Sequence, residues 1–477
     1  MHFADESLRI IQGGMGVAVS GWRLARTVAE LGQMGVVSGT ALDTVMVRRL
    51  QLGDPGGHVR RALASFPQPS LAQHIVDAYY IPGGKAMDAP FKVAPMPTLG
   101  MGPARMALMV LANYVEIFLA KDGHAGPIGI NYLEKLQLPT LPSLLGAMLA
   151  GVDYVVMGGG IPLAIPGLLD RLARWEPVEM AISVEGNSAE RSTLHRLDPT
   201  DFCGADRPAL QRPKFLAIVS SDVVAKGMLR RASGRVDGFV VEDYTAGGHN
   251  APPRRDPRAA PGAGPAFGPR DVPDLAAIKA LGLPFWLGGS RASPQHLAEA
   301  LAAGATGLQV GSAFAYCEES DILPEIRYQV LRRQLQQSVQ VVTDFRASPT
   351  GYPFKIVPSE AVAPVAGAGR ERARHCDLGY LRTPYVGADG RLSYRCPAEP
   401  VEAYLRKGGA LEDTVGRQCL CNGLSATIGL AQVRADGPEP PIVTSGQDLS
   451  FVPHLAAVGR LRYSARDVVA YILGASE

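Results

Sequence analysis

The strongest constraint on this chain is a cycle that repeats along its first two thirds. A short apolar run is followed by a glycine-rich turn, and then usually by a helical stretch. The runs occupy residues 8–12, 35–38, 127–131, 153–157, 214–220, 238–242, 284–287 and 307–310. They are continuously apolar rather than alternating, which suits strands of a parallel sheet covered on both faces. Helical stretches at 22–31, 141–149, 166–175, 222–230, 274–281 and 294–303 separate most of them. Eight such units predict an α/β fold, a (β/α)8 TIM barrel. An open, doubly wound sheet is the rival. The count of eight, and turns that stay rich in glycine to the last strand, favour closure.

Three segments exceed a minimal barrel. Residues 51–125 form a long insertion after the second run. Residues 177–213 hold an extra strand-like run at 178–185 and a polar loop. Residues 321–477 follow the last strand and read as a mostly helical C-terminal extension, with helices expected over 325–337 and 411–430. The predicted organisation is a barrel over 1–320, with 51–125 as an insertion or lid, and the extension packed on it. Insertions after barrel strands decorate the catalytic mouth, so both added segments are candidate lids or partner surfaces.

Composition narrows the class. A chain of 477 residues buries a large core without disulfides, and six cysteines are too few for a disulfide scaffold. The 47 basic and 45 acidic residues give a net charge of +2, which argues against a nucleic-acid partner. The apolar stretch 141–169 carries only Asp153 as a charge, yet proline and glycine interrupt it, so it reads as buried chain and not as a membrane span. The N-terminus shows acids and no apolar h-region. No signal peptide is expected, and the location expected is cytoplasmic.

The residues that carry chemistry stand where strands end. Gln12-Gly13-Gly14-Met15-Gly16 closes the first run; paired glycines let a planar ligand approach the backbone, and methionine is a soft apolar contact. Asn131 ends the third run and offers an amide to a ligand's carbonyl or ring nitrogen. Glu242 ends the sixth, and the loop beyond it carries Gly247, Gly248 and His249, whose imidazole is a candidate acid or base. Gly288-Gly289-Ser290 and Gly311-Ser312 follow the seventh and eighth runs. Many barrels hold a phosphate there on exposed N–H groups. Lys85 and Lys92 in the insertion could meet an anionic carrier, although a solvated surface is the simpler reading. The tail cysteines at 376, 396, 419 and 421 lack the paired knuckles of zinc sites, so no metal is expected. Neither a GxGxxG turn after the first strand nor a G-x-S-x-G elbow is present.

The motifs IIQGGMG, GIN, AGGH and LGGS…GATGLQVGSAF together resemble the nitronate monooxygenase (2-nitropropane dioxygenase-like) superfamily over residues 8–320. Longer strings cover nearly the whole chain: YYIPGGK, GINYLEKLQLP, GAMLAGVDYVVMGGGIP, AGGHNAPPR, LPFWLGGS, ASPTGYPFK, CDLGYLRTPY, YRCPAEP and GRQCLCNGL. These resemble the enoyl reductase subunit of polyunsaturated fatty acid synthases, and the discrete enoyl reductases of trans-acyltransferase polyketide synthases. The resemblance implies an FMN-binding barrel. It places Gly13, Gly14 and Met15 against the isoalloxazine ring and Asn131 at its polar edge. Glu242, Gly247 and Gly248 would border the cofactor, and Gly288, Gly289, Gly311 and Ser312 would hold its phosphate. His249 matches the family's active-site histidine. The following Asn250-Ala251-Pro252 departs from the small residue and glycine of simpler members, which makes a plain nitronate oxidase less secure.

Two activities follow from the resemblance. In the first, NADPH or NADH supplies hydride through FMN to an enoyl thioester borne by an acyl carrier protein, with His249 as acid or as the group polarising the carbonyl. Arginines of the tail or of residues 254–270 would dock the carrier. The alternative is a nitronate monooxygenase, which oxidises a small-molecule alkyl nitronate with O2 to a carbonyl compound and nitrite, with His249 as base toward a nitroalkane or as the group binding the nitro group. A monomer or a homodimer fits either. A flavin-binding accessory protein without turnover is a third reading, and an intact histidine argues against it.

Overall fold

The computed structural model describes residues 8–186, 193–203, 207–254, 265–362 and 372–474. Its first half runs β1 (Ile10–Gln12), α1 (Trp22–Glu30), β2 (Gly35–Ser38), α2 (Leu42–Gln51), α3 (His58–Ala64), α4 (Pro69–Tyr79), α5 (Pro103–Lys121), β3 (Ile128–Leu133), α6 (Gln137–Leu149), β4 (Tyr154–Gly158) and α7 (Ile165–Ala173). An antiparallel hairpin follows, β5 (Val178–Ile182) with β6 (Thr193–Leu197). Then come β7 (Lys214–Val219), α8 (Asp222–Arg231), β8 (Gly238–Glu242), α9 (Leu275–Lys279), β9 (Phe285–Gly288), α10 (Pro294–Ala302), β10 (Gly307–Val310) and α11 (Ser312–Ala315).

The eight parallel strands lie in the order β1-β10-β9-β8-β7-β4-β3-β2. The two ends of that order meet. Gln12 N donates to Met34 O at 2.9 Å and Met34 N to Ile10 O at 3.1 Å, so the sheet closes into a barrel. All eight apolar runs are strands of it, and the extra run at 178–185 belongs to the separate hairpin.

The period of two explains why the runs show no polar alternation. Ile11, Val36, Val156, Leu216, Val240 and Trp286 fill the barrel's interior, and the Trp286 indole donates to Leu8 O at 3.1 Å. Their neighbours Ile10, Val37, Val155, Phe215, Phe239 and Phe285 belong to the larger core shared with the helices. Both faces are dry, as in a parallel sheet.

The insertion does more than cover the barrel. Its long helix α5 packs against α1, α2 and α6 and supplies the outer-layer helix between β2 and β3. This helix is long and apolar enough to cross a membrane, but 78% of its most apolar window is buried inside the protein. Gly146 of α6 allows the closest approach. A Cβ there would stand 2.1 Å from Val110 O of α5.

The tail carries α12 (Pro324–Leu335), α13 (Val401–Arg406), α14 (Leu420–Thr427), α15 (Val452–Leu455) and α16 (Ala465–Leu473). It also carries three hairpins that were not expected: β11 (Val342–Asp344) with β12 (Phe354–Ile356), β13 (Thr383–Val386) with β14 (Leu392–Arg395), and β15 (Val433–Arg434) with β16 (Gly437–Pro438). The helix expected over 411–430 is broken. A single 3-10 turn at Leu411–Thr414 precedes Gly416, whose φ of +74° ends any helix, and α14 starts only at Leu420.

The tail is moored to the barrel and to the insertion. Gln432 brackets Phe91, accepting from its N at 2.7 Å and donating to its O at 3.1 Å. The buried Tyr380 hydroxyl meets Asp43 and Thr44 of α2, and Asp43 is in turn paired with Arg105 of α5. Tyr463 donates to Ala313 O at 2.8 Å, and α16 packs on α1 and α10.

Candidate active site

The C-terminal ends of the strands open into a cavity of about 1650 Å³, its open mouth included. Eleven of the residues singled out in the sequence lie on its wall: Gly13, Gly14, Met15, Asn131, Glu242, Gly247, Gly248, His249, Gly289, Gly311 and Ser312. Gly14 must be glycine, because a Cβ would stand 2.4 Å from the Asn131 Cβ. Gly13 N is fixed by Val310 O at 2.9 Å and Met15 N by the Ser20 hydroxyl at 2.8 Å, so the turn is held from both sides. Gly288 is the departure. It is the buried last residue of β9, and the wall is formed instead by Gly289 (φ +100°), Ser290 (φ +44°) and Arg291. The strand simply runs one residue further than its apolar run suggests.

His249 is held by the tail. Its Nε2 lies 2.6 Å from the Ser348 hydroxyl, which is 2.8 Å from the Thr350 hydroxyl. Its ring meets Phe354 edge-on at 4.8 Å. Lys355 N donates to Gly248 O at 2.9 Å and Asn250 N to Pro353 O at 3.0 Å, so the 248–250 loop pairs with the tail as a short antiparallel bridge. Burial, helped by the charge of Lys135, pushes the imidazole down to about 3. Near pH 7 the ring is neutral, and with Nε2 on Ser348 its other nitrogen is left for one further hydrogen bond.

Glu242 shows the opposite displacement. Burial, with Asp243 adding to it, raises its carboxyl to about 8, so the group is largely protonated at neutral pH. Among the described residues no group hydrogen-bonds to that carboxyl. The Gln309 side chain also lines the cavity, and its Oε1 is buried without a partner. An orphaned buried acceptor asks for a donor from a ligand.

The far end is closed by a tail loop. Gly446 N donates to the Ser312 hydroxyl at 2.7 Å, Asp448 N to the Ser290 hydroxyl at 3.1 Å, and Gln447 N to Thr245 O at 2.9 Å. Thr444 Oγ1 accepts from Gly248 N at 2.9 Å. Leu420, Cys421 and Leu424 of α14 add an apolar side. Among the described residues, none from 51–125 lines the cavity, so its cover comes from the tail.

No protein-family model and no curated protein matches the chain. Solved structures similar to it include FabK from Thermotoga maritima (16% identity, TM-score 0.39, covering 73% of this chain and 71% of that one). Nitroalkane oxidase from Streptomyces ansochromogenes is another (16%, 0.42, 88% and 96%). A third is the enoyl reductase domain of MlnA from Bacillus amyloliquefaciens (9%, 0.37, 74% and 64%). Likeness at this level adds nothing to the strand order and hydrogen bonds described above.

Sequence reasoning missed Ser348, Thr350, Gln309, residues 444–448 and Lys135. Lys135 was the most readable of these, being the first lysine beyond the end of the third strand. Lys85 and Lys92 stay on the insertion, where they donate to Ala89 O at 2.7 Å and Ala78 O at 3.0 Å, and Lys85 is half-buried over the Phe91 ring. Cys376 is hydrogen-bonded to Cys396 and Cys419 to Cys421, all as free thiols. Among the described residues no group of His, Cys, Asp or Glu is arranged to hold a metal ion. Most of the suggested carrier-docking loop, 255–264, lies outside the described residues.

Proposed function

We propose that this chain is an FMN-dependent oxidoreductase, and specifically an NAD(P)H-dependent enoyl reductase acting in trans on enoyl thioesters of a carrier-bound assembly line. The residues present fit the cofactor. The Gly13–Met15 backbone and Met15 side chain offer a flat, close wall. Asn131 and the orphaned Gln309 oxygen offer polar partners for a heteroaromatic edge. The 289–291 turn and Gly311-Ser312, with Arg291 beside them, offer donors and positive charge for a phosphate. When bound there, FMN supplies hydride chemistry, taking a hydride from a reduced nicotinamide and passing it to the substrate.

What favours an enoyl thioester is that His249 and Glu242 stand buried together on the cavity wall, where burial keeps both largely uncharged near pH 7. A neutral imidazole and a protonated carboxyl are hydrogen-bond donors suited to a carbonyl oxygen that gains charge as hydride arrives. The same imidazole is too weak a base to form a nitronate from a nitroalkane, and being neutral it offers no positive charge to a nitronate supplied as the anion. The tail loops shield the group from water.

Steady-state assays test the reading. NADPH consumption with crotonyl-pantetheine, giving the butyryl thioester by mass spectrometry and no nitrite with propyl nitronate, is expected. Nitrite release from the nitronate without NADPH, and no butyryl product, would overturn it.

A further inference from the structure

A second cavity of about 980 Å³, its mouth included, adjoins the first. The two share a wall made by Gly159, Ile218 and Glu242. Their linings differ. The first offers apolar surface from Val17, Val19, Leu133, Leu136 and Phe451. The second sets Ser220, Asp243, Asn250, Arg254 and Lys135 among apolar Ile161, Val219 and Phe267.

Lys135 is the least satisfied group there. Its Nζ is buried and makes no hydrogen bond, and it sits 3.1 Å from the centre of the Tyr352 ring. A buried ammonium resting on a π face alone still has N–H donors to place. Its charge bears on His249, which lines the first cavity. Glu134 from its own segment favours its charge, and Glu242 and Asp243 line the same cavity. Burial prevails and brings the amine down to about 7. A buried donor facing a cavity without an acceptor marks the place of a ligand oxygen.

We propose that the second cavity takes the thioester end of the substrate, with Lys135 Nζ donating to the thioester carbonyl oxygen at the seam, while the acyl chain runs into the first cavity. This rests on the enoyl reductase reading. The carbonyl is the one atom group that must lie where the two linings meet. The acyl chain needs apolar surface, and the amide-bearing arm beyond the sulfur needs polar surface. A hydride, its two electrons coming from a reduced nicotinamide, would form the new bond to the β-carbon. The π pair moves toward the α-carbon and the carbonyl oxygen. A proton from water then completes the saturated thioester at the α-carbon. Lys135 keeps its own protons and balances the charge on oxygen, where a preorganised donor acts most strongly.

Labelling of the holoenzyme with trinitrobenzenesulfonate at pH 7.5, read peptide by peptide by mass spectrometry, tests the placement. Saturating crotonyl-pantetheine is expected to slow labelling of Lys135 by about tenfold and to leave the half-exposed Lys226 unchanged. Lys135→Met is expected to lower kcat by about 100-fold with KM little changed, and to remove the fall in activity above about pH 7. Lys135→Arg, which keeps the charge, is expected to recover part of the loss and to show no such fall. Unchanged labelling of Lys135 in the presence of the thioester overturns the inference, as does a Lys135→Met enzyme with normal kcat and pH profile. The two readings fail separately. Protection without thioester turnover keeps the cavity assignment and removes the reductase reading, and turnover without protection does the reverse.

Discussion

At the scale of single residues, the site works by withholding charge. The His249 imidazole is held near 3 by burial and by Lys135, against 6.5 in open chain. Between those two values the unfolded chain binds a proton that the native protein does not. Stability therefore falls as pH drops from about 6.5 toward 3, and above 6.5 the group contributes no slope. Urea midpoints at pH 4 and pH 7 are expected to lie closer together in His249→Gln than in the parent. His249→Ala is expected to lower turnover by about 100-fold or more while flavin stays bound, and unchanged turnover would remove the role. Gly14→Ala pushes a methyl into Asn131 and is expected to lower the flavin-to-protein ratio on purification. His249, Gly14 and Asn131 were legible because strand-end position and residue type coincide there. Ser348 was not, because its role arises only when the tail meets the barrel mouth, and Gln309 was hidden as a polar residue inside the apolar run of β10.

At the scale of elements, the barrel strands were readable because both faces of each strand are buried, so apolar runs mark them directly. The tail's hairpins escaped for the opposite reason: strands such as Val433–Arg434 and Gly437–Pro438 are too short to show a period. The insertion was read as a lid, yet α5 is part of the barrel's outer layer, and its close crossing with α6 depends on Gly146. Gly146→Ala forces those helices apart. It is expected to cost about 1–3 kcal/mol in denaturant unfolding and to leave the absorbance of bound flavin unchanged at low temperature. An unaltered midpoint would show that α5 and α6 are free to separate.

At the scale of the whole molecule, the tail is a structural part of the active site. It grips α2 through Tyr380 and brackets Phe91 through Gln432, and from that frame it presents Ser348 to His249 and Gly446 to Ser312. Tyr380→Phe removes a buried partner of Asp43 and is expected to destabilise the protein by about 1–3 kcal/mol, seen as a lower thermal midpoint. On our proposal the tail-covered barrel mouth carries hydride from a nicotinamide to an enoyl thioester, and anaerobic stopped-flow absorbance of the purified protein tests this in one experiment. NADPH is expected to bleach the flavin band rapidly, and crotonyl-pantetheine to restore it. Bleaching by propyl nitronate with NADPH inert, or a protein that binds no flavin at all, would contradict the account.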